Sequence, residues 1–132
     1  MKQISRNKDT GNAVERYGKS FMHAIDGIIY AIRYEHNMII IILAALVASI
    51  SGIFLELNSN EWLFVILIIG LVMASEMINT AIEAVVDLET LKTHPLAKIA
   101  KDTASSATLI LSLTALIGAI NIYVPKIIEC IK

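Results

Sequence analysis

The chain has 132 residues, of which 56% are hydrophobic and 17% charged, with mean hydropathy +0.68. That balance is too apolar for an ordinary soluble domain, and the formal net charge of −1 gives no reason to expect a nucleic-acid partner. A single cysteine, Cys130, excludes a disulfide framework and a cysteine-rich metal site.

Residues 1–12 are polar, contain Gly11 and Asn12, and read as a loosely ordered tail. No apolar core begins before residue 38, so a cleaved signal peptide is not expected. From residue 13 the pattern changes. Val14, Tyr17, Phe21, Ile25, Ile28 and Ile32 recur at steps of three and four, with Arg16, Lys19, His23, Asp26 and Arg33 between them. This is an amphipathic period, and next to a membrane it predicts a helix over 13–35 lying in the interface.

Three apolar stretches follow. "MIIIILAALVASISGIF" (38–54) carries no charge. "WLFVILIIGLVMAS" (62–75) is short by itself but spans if the helix continues through "SEMINTAIEAVVD". "TASSATLILSLTALIGAINIYV" (103–124) is also uncharged. A span needs ~20 residues, so the sequence predicts three, at about 37–55, 61–87 and 103–124, in one domain over 13–132. Lys and Arg precede the first stretch and recur as Lys92, Lys98 and Lys101 after the second, whereas "LELNSNE" between the first two has neither. The positive-inside rule then puts the N-terminus and the 88–102 loop in the cytoplasm. Small residues four apart, such as Ala44/Ala48 and Ala115/Ala119, suit close helix contact, while Trp62 and Tyr123 suit the outer interface.

The second stretch runs into acids. At ~100° per residue, Glu76, Asn79, Glu83 and Asp87 fall within an arc of roughly 80°. Each charge deep in lipid costs at least ~2.5–3.5 kcal/mol, so this face must meet protein or water. Interhelical hydrogen bonding would explain Asn79 alone but gives no reason for three carboxylates. Two functional readings remain, a cation or proton pathway and a site that gathers metal and phosphate. Glu35, Lys98, Lys101 and Asp102 lie at the same cytoplasmic rim. Oxygen ligands suit Mg²⁺ and lysines suit phosphate, which favours phosphoryl transfer. Neither a P-loop nor a kinase glycine-rich motif is present, so nucleotide would have to be held by side chains and helix ends. His36 and His94 have no His or Cys partner at metal spacing and read as interface residues. Three helices should leave the polar stripe open without a second chain, so oligomerisation is expected.

"EMINTAIEAVVD" followed by "AKDTASSATLI" resembles the signature of the small prokaryotic integral-membrane diacylglycerol kinases, over residues ~13 to 125. "HPLAKIAKD" and "RYEHNM" are more similar to the branch from Gram-positive bacteria, which is generally associated with undecaprenol rather than diacylglycerol as acceptor. The resemblance implies an all-α integral membrane protein of the bacterial cell membrane, one amphipathic surface helix plus three transmembrane helices, assembled as a homotrimer with shared active sites. It implies an ATP- and Mg²⁺-dependent lipid kinase that makes undecaprenyl phosphate, with diacylglycerol as the alternative acceptor. From outside the class, a small ion- or proton-conducting oligomer is the alternative. Residue by residue, Glu76 matches the catalytic base, and Asn79 a group that positions the reactants. Glu35 and Glu83 match the carboxylates that hold Mg²⁺ with the ATP phosphates. Lys101 matches the phosphate-contacting lysine and Asp102 the acid beside it. Arg16 and Asp87 match polar residues on the nucleotide side, where His23 stands at a position that is aromatic in some members.

Overall fold

A computed structural model describes residues 12–90, 92 and 94–131. Most of the predicted tail, including Gly11, lies outside them. The described residues form four α-helices, α1 (Ala13–Tyr34), α2 (His36–Phe54), α3 (Ser59–Glu89) and α4 (Pro95–Ile131). The last three are long and apolar enough to cross a membrane. With 31 residues α3 is ~46 Å long, and with 37 residues α4 is ~55 Å, so each exceeds the ~30 Å of a hydrocarbon core.

One extended residue separates α1 from α2. Glu35 has φ −104° and ψ 111°, and its N–H closes α1 on Ala31 O at 2.9 Å. Ala31 and Met38, on either side of this corner, are each 1% exposed. On α1, Val14, Tyr17 and Phe21 are exposed in the single chain, as are the polar residues between them.

The α2–α3 turn is built from backbone and capping bonds. Glu56 takes the left-handed conformation (φ 51°), and Leu57 N–H reaches back to Gly52 O at 3.1 Å. A methyl group at Gly52 would sit 3.1 Å from the Trp62 ring, so the turn closes tightly only because position 52 is small. Asn58 Oδ1 accepts from the N–H groups of Asn60 (3.0 Å) and Glu61 (3.1 Å), and Glu61 Oε2 accepts from Asn58 N–H at 2.7 Å. This reciprocal cap starts α3.

The α3–α4 pair is the main helix contact. A methyl group at Gly118 would overlap the Phe64 ring, so glycine lets α4 approach α3 there. Near the same end, Tyr123 OH donates to Ala48 O at 2.8 Å, and Lys126 Nζ lies 3.3 Å from Glu61 Oε2 and 3.2 Å from Glu56 O. These bonds tie α4 to both α2 and the turn. They also accompany a difference from the sequence pattern. Although Pro125 follows the apolar run, α4 continues through it to Ile131.

Candidate active site

Among the described residues, Glu76, Asn79 and Thr80 are the buried polar and charged ones, and all three lie on α3. Their level follows from helix geometry. Glu76 is 17 residues from Ser59, or ~26 Å along the axis, close to the far boundary of a ~30 Å hydrocarbon core. It is 1% exposed, and neither carboxylate oxygen has a hydrogen-bond partner. Burying an acid without a partner is costly, which makes Glu76 a candidate functional group. The expectation that the whole acidic stripe stays open on one chain is corrected here. The deep end, Glu76 and Asn79, is covered by the chain itself, while Glu83 is half-buried and Asp87 exposed. Packing of the helices within one chain is enough to cover the deep end, and α1 reaches α3 there, with Gly27 beside Met77.

One turn beyond Asn79 the site becomes charged. Asn79 Nδ2 donates to Glu83 Oε1 at 3.1 Å, which orients that carboxylate along the helix. One further turn on, Asp87 Oδ1 lies 2.6 Å from Lys101 Nζ of α4. Asp87, Lys101 and Asp102 line a groove of about 670 Å³ together with Thr90, Lys92, His94 and Lys98, and Val86 and Pro95 give it an apolar side. Three lysines beside two carboxylates suit a polyanion that carries a cation. Beside the groove, Thr90 Oγ1 accepts from Lys92 N–H at 3.1 Å and His94 Nδ1 accepts from Leu96 N–H at 3.2 Å. His94 therefore takes part in starting α4.

The remaining candidates come from α1 and its corner. Glu35 is half-buried at the α1–α2 junction. Position 27 of α1 faces Met77, where a methyl on Gly27 would meet Met77 Cε at 3.8 Å, so α1 crosses α3 beside Glu76. Arg16 and His23 are exposed, and neither lines the groove. His23 Nδ1 is 4.0 Å from Asp26 Oδ2 of its own helix, and Arg16 lies eleven residues, ~16 Å along the helix, from the Gly27 crossing. One chain thus gathers Glu76, Asn79 and Glu83 on one helix face and Asp87, Lys101 and Asp102 in one groove. It does not bring Arg16 or His23 to them.

No group of three or more His, Cys, Asp or Glu side chains among the described residues is arranged as a metal cage. A metal held by one or two carboxylates would therefore complete its shell from phosphate and water, as Mg²⁺ usually does, and the donor set fits that ion. Sequence reading set Lys98 beside Lys101 and Asp102 at the cytoplasmic rim, but counted Lys92 toward topology alone and missed that both lysines share a groove with Asp87. It also missed Thr80 and Thr108, whose hydroxyls are buried without partners. The lysines carried a signal in their spacing; the threonines carried none, since a lone Thr in an apolar helix is ordinary.

A profile of the family described as prokaryotic diacylglycerol kinase matches residues 22–123. Among relatives, the chain is 41% identical over 121 residues to an undecaprenol kinase of Bacillus subtilis (strain 168), covering 92% of this chain and 98% of that one. It is 38% identical over 96 residues to a diacylglycerol kinase of Helicobacter pylori (strain J99 / ATCC 700824), covering 73% of this chain and 75% of that one.

Proposed function

Because this chain belongs to the prokaryotic diacylglycerol kinase family and is a lipid kinase of the membrane, using a nucleotide and a lipid, we propose that ATP is its phosphate donor and undecaprenol its acceptor. The acceptor is supported by the undecaprenol kinase relative, matched over 98% of its length, against 75% for the diacylglycerol kinase. Diacylglycerol, giving phosphatidic acid, is the second reading.

The observation that carries the mechanism is Glu76, 1% exposed with both oxygens unbonded. It is the base. A lipid hydroxyl at the inner boundary of the hydrocarbon core meets this carboxylate, which takes its proton as the oxygen attacks the γ-phosphorus. Asn79 holds Glu83, and Glu83 with Glu35 would hold Mg²⁺. When bound, that ion would neutralise charge on the phosphate oxygens. Lys101, poised on Asp87, turns to a phosphate, and Asp102 lies beside it in the groove. Arg16 and His23 are assigned to the nucleotide side by the resemblance, although they lie apart from their own chain's groove. Phosphoryl transfer relies on positioning and charge, so such a sparse set is sufficient.

The cell membrane is the proposed location, with the α3–α4 loop in the cytoplasm. Lys92, Lys98 and Lys101 support that orientation, set against a turn between α2 and α3 without Lys or Arg. A homotrimer is proposed from the resemblance. It agrees with Glu83 and Asp87 remaining accessible on one chain, and with Arg16 and His23 lying apart from that chain's own groove.

A competition assay tests the acceptor. Purified protein receives labelled ATP with undecaprenol and diacylglycerol in equal amounts, and label is expected chiefly in undecaprenyl phosphate. Faster labelling of diacylglycerol would replace the leading reading with the second one.

A further inference from the structure

Several Ser and Thr hydroxyls in the helices return a bond to their own backbone. Ser49 bonds Ala45 O (2.8 Å), Ser51 bonds Val47 O (2.6 Å), Ser75 bonds Val72 O (2.8 Å), Ser106 bonds Asp102 O (2.6 Å) and Thr114 bonds Ile110 O (2.9 Å). This is the usual way for Ser and Thr to satisfy a hydroxyl inside a helix. Thr80 and Thr108 depart from it, since each buries Oγ1 without a partner. Thr80 is one turn from Glu76 on the same helix. Thr108 comes from the opposite helix.

Helix register brings Thr108 to Glu76. Lys101, Ala104, Thr108, Ala115 and Gly118 share one face of α4 by helical period. Lys101 pairs with Asp87, Ala104 is buried, and Gly118 meets Phe64, so this face is the one against α3. The two contacts, Asp87–Lys101 and Phe64–Gly118, fix the helices antiparallel. Interpolating between them puts Thr108 level with Glu76 and Met77, within about one turn. Two unpartnered carboxylate oxygens on α3 and one unpartnered hydroxyl on α4 therefore lie at the same depth, buried from water.

We propose that Thr108 Oγ1 is a substrate-orienting group that holds the acceptor alcohol between itself and Glu76. The inference rests on Glu76 as the base. An alcohol oxygen has one proton and two lone pairs. Its proton goes to Glu76, one lone pair forms the new bond to the γ-phosphorus, and the other accepts from the Thr108 hydroxyl. The bond from the γ-phosphorus to the bridging oxygen breaks, and ADP leaves with that electron pair. Thr108 fixes the direction in which the attacking lone pair points, a geometric requirement of in-line transfer. A buried hydroxyl left unbonded in the free protein gains its partner when substrate enters.

The test uses full-length protein with MgATP and undecaprenol. Thr108→Val keeps the shape and removes the hydroxyl. Its kcat/KM for lipid is expected to fall ~10-fold or more, with KM for MgATP within ~2-fold of wild type. Thr108→Ser is expected within ~3-fold of wild type, because it keeps the hydroxyl. Thr108→Ala, a second hydroxyl-free variant, should match Thr108→Val. Thr114→Val is the control, since that hydroxyl bonds its own helix, and it should leave turnover unchanged. The melting temperature of Thr108→Val should be no lower than wild type, because an unbonded buried hydroxyl gives no stability. Wild-type lipid kinetics in Thr108→Val would overturn the proposal. So would Thr108→Ser as slow as Thr108→Val, which would assign the effect to methyl packing. Glu76→Gln is measured alongside; rapid transfer there would sink the base assignment, whereas its loss beside an unaffected Thr108→Val would sink the Thr108 assignment alone.

Discussion

Asn79 Nδ2 donates to Glu83 Oε1 across 3.1 Å, one turn apart on the same face of α3. The bond engages one oxygen of the carboxylate, and the other is the one proposed to meet Mg²⁺. Glu83→Gln keeps an acceptor for Asn79 but removes the charge. KM for MgATP is expected to rise ~10-fold or more, consistent with the loss of a charge-assisted contact, while KM for lipid moves little. Higher Mg²⁺ should recover part of the loss. Titrations of MgATP at several Mg²⁺ concentrations read this, and wild-type nucleotide kinetics would remove Glu83 from the metal site.

Lys101 and Asp87 form an ion pair at 2.6 Å with side chains 35% and 50% exposed. A pair this open contributes no more than ~1 kcal/mol to stability. Asp87→Asn should therefore shift the melting temperature little, and Lys101→Met should cut transfer without unfolding the protein. Equal loss of stability and activity in both variants would mean that the pair is structural.

Gly118 faces the Phe64 ring so closely that a methyl group there must displace it. Gly118→Ala should cost ~1–3 kcal/mol through overpacking. Phe64→Leu in the same chain should recover much of that. Thermal unfolding in detergent is the measurement, and a stable Gly118→Ala single variant would show that the ring moves freely.

Glu76→Gln retains shape and hydrogen bonding but accepts no proton. Turnover is expected to fall ~10²-fold or more. MgATP binding should persist, because the nearest proposed nucleotide contact, Glu83, lies about two turns away. Folding should persist as well, since removing a buried unpaired charge relieves a cost. Single-turnover transfer beside nucleotide binding decides the matter, and near-wild-type transfer would turn attention to Asp102.

The proposed orientation is checked by cysteine labelling. With Cys130→Ser as background, Lys98→Cys should react from the cytoplasmic side and Asn60→Cys from the outside. Reaction of both from one side would overturn the arrangement of three crossings.

Much of the fold was legible because membrane helices obey a one-dimensional rule. Any crossing segment must be long and apolar, and helices α2, α3 and α4 each carry that pattern locally. The acidic stripe was legible for a similar reason, since ~100° per residue aligns Glu76, Asn79, Glu83 and Asp87 on any helix. What α3 faces is not a local property. The cover over Glu76 depends on how the helices pack around it, and the pairing of Asp87 with Lys101 fourteen residues on and the level of Thr108 depend on how α4 slides and rotates against α3. That register is set by close approach at points such as Gly118 against Phe64, where shape alone decides which residues meet. The sequence by itself determined that the acids share a helix face that cannot meet lipid; the tertiary structure decided which acid is sealed and which is paired.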